Sequence, residues 1–168
     1  MLLPADNLHL QAAEGWLELG NHIEAHEELD QITPQLRAHP DILEVRWNIC
    51  AYGKNWEACV DIVDAIIKLD SNRPDAWIHR SFALHELNRT QEAFDQLLPV
   101  VDTFSNLWTI PYNLACYCAQ MGRLDESKHW FKKAILVDER VVQRLAIDDP
   151  DLKPLFDSMS DTLWQRSD

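Results

Sequence analysis

His22 and His26 stand four residues apart, a spacing that sets two imidazoles on one helical face where they could share a metal ion, with Glu27 beside them. The zinc-protease arrangement HExxH needs a histidine that neither HEELD at 26–30 nor HELNR at 85–89 supplies. A solvated helix face accounts for the pair more simply, so no metal ligand is assigned. Four cysteines, Cys50, Cys59, Cys116 and Cys118, include no CxxC. Two residues apart on a helix, Cys116 and Cys118 point in different directions and cannot grip one ion together, so reduced, buried thiols are expected. No Ser or Cys nucleophile comes with a recognisable base motif, and neither GxGxxG nor GxxxxGK[ST] occurs. These absences lead to the expectation of a non-enzymatic chain with no catalytic residue, no cofactor and no metal.

The chain has 168 residues, long enough for one domain with a proper core, and 46% of them are hydrophobic. Fifteen Lys and Arg against 28 Asp and Glu give a net charge of −13, which argues against a nucleic-acid partner because phosphate binding needs a basic surface. No apolar run approaches the ~20 residues of a membrane span, and the first residues lack the basic start of a secretory signal. A soluble, cytoplasmic protein with no membrane partner is expected. Its acidity is uneven: residues 1–40 hold seven acids and one base.

The elements that must carry these residues announce themselves by repetition. Gly20, Gly53, Asn88 and Gly122 recur at spacings of 33, 35 and 34, each followed five residues later by Ala25, Ala58, Ala93 and Ser127. Leu29, Ile62, Leu97 and Phe131 come next, then Ile32, Ala65, Val100 and Ala134. Gly and Asn tolerate the left-handed conformation that closes one helix, the small residue permits close helix packing, and the bulky residues line one face. The spacing predicts helical hairpins with helices at 6–19 and 22–37, 41–52 and 55–69, 75–87 and 90–103, and 108–121 and 124–137. Pro34 and Pro99 fall inside second helices, where a kink or early fraying is expected. Asp149-Pro150 reads as an N-cap with proline in the first helical position, opening an apolar-striped segment that would cap the array.

The pattern resembles the tetratricopeptide repeat, most fully at 111–134, PYNLACYCAQMGRLDESKHWFKKA, with Trp77 and Ser81 in the aromatic and small positions of the third unit. The likeness covers about residues 5–138. It implies an all-α, right-handed α-solenoid of four repeats (about 6–40, 41–73, 74–107 and 108–138), with 139–168 as a C-terminal cap of the same domain. It also implies a scaffold or adaptor whose concave face binds a peptide or partner protein. The alternative is a self-associating protein, such as a homodimer, whose groove is filled by its own tail or a second copy.

In the register set by those turn residues, the concave row comprises Leu10, Glu14 and Leu17; Leu43, Trp47 and Cys50; Ile78, Phe82 and His85; and Tyr112, Cys116 and Ala119. Trp47, Phe82 and Tyr112 make this row aromatic, as interaction surfaces tend to be. The family's carboxylate clamp is absent, since its lysine places fall at Leu10 and Asp75, its arginine place at His79, and its early asparagine places at Glu14 and Glu44. Asn113 matches the asparagine that holds peptide backbone in such proteins. Arg46 and Arg80 stand where small or aliphatic residues are expected between packed helices. They either pair structurally, with Glu44, Asp64 or Asp75 as candidates, or anchor an acidic group of a ligand.

Overall fold

A computed structural model describes residues 2–164, and among them every regular element is helical. The helices are α1 (Pro4–Glu18), α2 (His22–Gln31), α3 (Pro40–Tyr52), α4 (Trp56–Leu69), α5 (Pro74–Glu86), α6 (Thr90–Leu97), α7 (Thr109–Gln120), α8 (Leu124–Val137), α9 (Glu139–Ala146) and α10 (Lys153–Trp164). The first eight match the eight expected helices. α2 and α6 stop early, and Pro34 and Pro99 lie in short 3-10 turns, Pro34–Leu36 and Leu98–Val100. A proline lacks the N–H that would extend the helix, and its ring crowds the preceding turn. The short α9 was not foreseen. Its signal was local: Asp138 accepts the Val141 N–H at 3.0 Å as an N-cap.

The chain divides into two compact units, Met1–Ala83 and Leu84–Asp168. In the first, Leu10, Ala13, Ala25, Leu29, Ile32, Ile42, Val45 and Ile49 form one apolar cluster. Trp47, Cys59, Val63, Ile66, Ala76 and Ala83 form another. Asp6 is buried in the first turn of α1, where the helix dipole favours a carboxylate, and it ties down the end of α2. Its two oxygens accept the Thr33 backbone N–H at 2.8 Å and the Thr33 hydroxyl at 3.2 Å. In the second unit Leu97, Ile110, Leu114, Cys118, Ala134, Val142, Leu152 and Leu155 are buried. There the Ser127 hydroxyl sits against α7, donating to the Ala115 carbonyl at 2.7 Å.

The hairpins close on one turn, repeated four times, and it corrects the expected register. The left-handed residues are Gly20, Lys54, Asn88 and Gly122, each 34 residues from the next. Gly53, with φ −78°, is an ordinary helix end, and Lys54 takes φ 54° in its place. Around each left-handed residue the same hydrogen bond shuts the helix. Asn21, Asn55, Arg89 and Arg123 donate their N–H groups to the carbonyls of Trp16, Cys50, Leu84 and Cys118 at 2.8–2.9 Å. The repeating small residue is therefore Cys59 rather than Ala58, followed by Val63 and Ile66 rather than Ile62 and Ala65. All three are buried.

This geometry makes the two neighbouring residues respond in opposite ways. Lys54→Gly relieves a side chain from the left-handed region and is expected to stabilise the fold by about 0.5–1 kcal/mol. Gly53→Ala is tolerated, because its Cβ would meet only carbonyl oxygens at 3.6 and 3.8 Å, an ordinary contact. Gly122→Ala, at φ +74°, costs about 1 kcal/mol. Urea unfolding midpoints of the three variants check the order.

Candidate functional site

A uniform 34-residue register changes which residues of α3 share the inner positions of α1 and α5. Leu10 is matched by Glu44 and Ile78, and Glu14 by Asn48 and Phe82, while Asn7 is matched by Asp41 and Asp75. Leu43 and Trp47 are displaced from that row. Trp47 is buried in the core formed by α3, α4 and α5, its ring stacked on His79 at 3.9 Å and 6°. It occupies the place that Ala13 and Ser81 hold in the neighbouring hairpins. Burial lowers the His79 pKa, against a weaker opposing pull from Asp75. Ile78 is half-buried, and Phe82 is 39% exposed with its ring edge to face with Trp56 at 5.5 Å.

What takes the displaced positions is acidic. Glu14, Asp41, Glu44, Val45 and Asn48 line an open pocket of about 280 Å3 in the first unit. Arg73 reaches Asp41 at 2.7 Å and Glu44 at 3.3 Å. Burial raises the Glu44 pKa; Arg73 opposes the rise, and Asp75, Asp41 and Glu14 add to it. One guanidinium thus pairs with two of the three carboxylates that line the pocket, which keeps a surplus of negative charge. Sequence reasoning placed Glu14 in the concave row and Glu44 among the candidate partners of the arginines, and otherwise named both as places where a carboxylate clamp failed. The signal that would have found the acidic row was Asn55 following Lys54 as Asn21 follows Gly20, since both asparagines cap their helices.

The corrected register also explains the two arginines, which stand 34 residues apart. Arg46 reaches Asp30 at 3.4 Å and Arg80 reaches Asp64 at 2.9 Å, and Asp30 and Asp64 are themselves 34 apart. One ion pair therefore recurs, joining the second helix of a hairpin to the first helix of the next. Both arginines are partly exposed, so each pair contributes on the order of 1 kcal/mol or less.

In the second unit the corresponding inner row is covered by the chain's own tail. Tyr112 is 6% exposed, and its hydroxyl donates to Asp149 Oδ2 at 2.6 Å. The Cys116 thiol faces the same oxygen at 3.8 Å. Asp149 Oδ1 accepts the Asp151 N–H at 2.9 Å, capping the 3-10 turn Pro150–Leu152 as the sequence predicted. Asp151 Oδ2 lies 3.4 Å from His85 Nε2, and Gln120 donates to the Asp151 carbonyl at 3.0 Å. Burial, reinforced by Asp149 and Asp151, holds the Tyr112 phenol and the Cys116 thiol far above their usual ranges. Asn113 is half-buried beside Tyr112. The tail's apolar stripe, read over 151–166, extends past the described side chains, and residues 165–168 lie outside the described residues.

His22 stacks on Tyr52 at 4.7 Å, and His26 lies 3.3 Å from Asp30. Among the described residues no group of three or more His, Cys, Asp or Glu could hold a metal. The thiols of Cys59 and Cys118 are pushed up by burial to about 12 and about 11. No helix among the described residues is long and apolar enough to cross a membrane.

Neither protein-family models nor curated proteins match this chain. Solved structures do, and several are of MamA. MamA 41-end from Desulfovibrio magneticus RS-1 is 17% identical, with TM-score 0.73, covering 99% of this chain and 98% of that one. A MamA RS-1 double mutant, also 17% identical, gives 0.72 with full coverage of both chains. MamA from MSR-1 is 19% identical, with TM-score 0.69, covering 81% of this chain and 78% of its own. At such identities the likeness shows the fold, an all-α fold of the tetratricopeptide type.

Two stability effects follow. Asp149→Ala removes a cap and the acceptor of a buried hydroxyl, and is expected to cost about 2–3 kcal/mol, against about 1 kcal/mol for Tyr112→Phe. Chemical denaturation of both variants checks the difference. His79, with its folded pKa below the ordinary value, favours the fold in its neutral form. Its contribution is complete above about pH 6.5 and is lost as pH falls, because the unfolded chain takes the proton first. Comparing wild type with His79→Phe in urea at pH 7.5 and 5.5 isolates that loss.

Proposed function

We propose that this chain is a non-enzymatic interaction scaffold of the cytoplasm, and that the inner face of α1, α3 and α5 receives a basic segment of a partner protein. The observation that carries this reading is the pocket lined by Glu14, Asp41 and Glu44, of which Arg73 pairs with Asp41 and Glu44 only, while Asp75 adds to the negative field at Glu44. A lysine or arginine entering there neutralises surplus charge, and its aliphatic stem can lie against Ile78 and Phe82. The tetratricopeptide-type fold supports a binding role, and the acidic lining argues for a basic ligand over the aromatic groove first expected. Trp47 and Tyr112 contribute through packing, and Arg46 and Arg80 through ion pairs.

A second reading applies to the other unit. With Asp149 and Asp151 seated on Tyr112, Cys116 and His85, the inner row of Leu84–Asp168 is filled by its own tail, which favours self-coverage there.

Fluorescence anisotropy with a lysine-rich nonapeptide and a glutamate-rich control tests the first reading. Binding of the lysine peptide alone, weakening with salt, is expected. Glu14→Lys combined with Asp75→Lys should reduce affinity by about tenfold or more without changing the circular dichroism spectrum. Equal binding of both peptides, or none, overturns it.

A further inference from the structure

In the second unit α8, α9 and α10 enclose an open apolar groove of about 270 Å3, walled by Phe131, Ile135, Ala146, Ile147 and Phe156. Phe131 and Phe156 meet edge to face at 5.7 Å, and Ile147 is 78% exposed. Helical spacing places Lys128 and Lys132 on the flank of the Phe131–Ile135 row, and Arg140 and Arg144 along α9 beside Ile147. All four bases are exposed, and among the described residues none has an ion-pair partner, whereas nearby Lys153 is held by Asp157 at 2.6 Å. Four exposed cations around an apolar groove, unpaired among the described residues of a chain of net charge −13, suit an acidic and apolar partner.

The first unit carries a surface of that description. Leu19, Ile23 and Tyr52 are all well exposed, and the turn between α1 and α2 gathers them: Tyr52 stacks on His22, and its hydroxyl lies over Gly20. Glu18 adjoins Leu19, and Glu27 stands one helical turn beyond Ile23. Both are exposed, and neither is in an ion pair among the described residues.

We propose that the α8–α10 groove of one copy receives the Leu19–Ile23–Tyr52 patch of a second copy, with Glu18 and Glu27 meeting Lys128, Lys132, Arg140 and Arg144. Charge selects this occupant over pairing of two first hairpins, which would bring together two segments of seven acids and one base each. The two surfaces differ, so the contact is heterologous. Every copy added leaves one groove and one patch free, unless the array closes into a ring. None of the residues proposed to receive a basic segment takes part, so each proposal can fail alone.

Sedimentation velocity across a concentration series, at low and high salt, tests the contact. The expected result is a mass that climbs past the dimer with concentration and falls with salt. Lys128→Glu with Lys132→Glu, or Glu18→Lys with Glu27→Lys, should weaken association by about tenfold or more when each variant is studied alone. An equimolar mixture of the two variants restores opposite charges at every contact and should recover assembly. Circular dichroism establishes that both variants are folded. A wild type that stays monomeric overturns the proposal, as do charge variants that associate unchanged or a mixture that fails to recover. So does assembly that stops at a dimer and is abolished by Leu8→Asp, a change at an exposed leucine of α1 outside both proposed surfaces, the signature of paired first hairpins.

Discussion

The fold depends on a hairpin turn that closes each first helix with one left-handed residue and one backbone hydrogen bond six residues long. Because that bond forms at Asn21, Asn55, Arg89 and Arg123, it sets the phase of all four hairpins at 34 residues. Every other repeated feature is counted from it. The small packing position falls on Ala25, Cys59, Ala93 and Ser127, all fully buried. The second helix of a hairpin can approach the first only where that side chain is small, and a shift of one residue would set Ala58 or Val60 there and turn Val63 from the core.

That phase also decides the electrostatics. Once Lys54 is the turn, Asp30–Arg46 and Asp64–Arg80 become one interaction used twice, and the next place in the series is apolar, with Leu98 and Leu114. An arginine between packed helices is tolerated because its partner recurs at the same period and its head remains partly in water. The same shift moves Trp47 off the inner face into the core, against His79, and brings Glu44 and Asn48 onto it. An apolar row becomes an acidic one through a change of one residue in register.

The first eight helices, their order and the proline-shortened ends of α2 and α6 were legible in the sequence, since apolar spacing and the missing N–H of proline act locally. The register of the second hairpin was not, because Gly53 offers itself as a turn residue and Lys54 does not. Glycine's preference for the left-handed region is worth about 1 kcal/mol, which the closing hydrogen bond and the Asn55 cap outweigh. Arg80–Asp64 was among the pairings the sequence suggested; Arg46–Asp30 was hidden by the same one-residue error. The seating of Asp149 on Tyr112 joins residues 37 apart in the chain, a contact that no local pattern encodes.

The two units use equivalent inner positions differently, and the reason lies in what each position leaves unsatisfied. In the second unit Tyr112 and Cys116 present weak donors in an apolar setting, and one carboxylate from the same chain satisfies both while also capping the turn that carries it. Nothing further is needed, and an incoming ligand would have to displace three interactions of Asp149 together. In the first unit the inner positions carry carboxylates, and the single guanidinium at hand is shared between two of them. The proposed capture of a cation rests on that difference, since Glu14, Asp41 and Glu44 outnumber the guanidinium beside them whereas Asp149 is already committed to Tyr112 and Cys116.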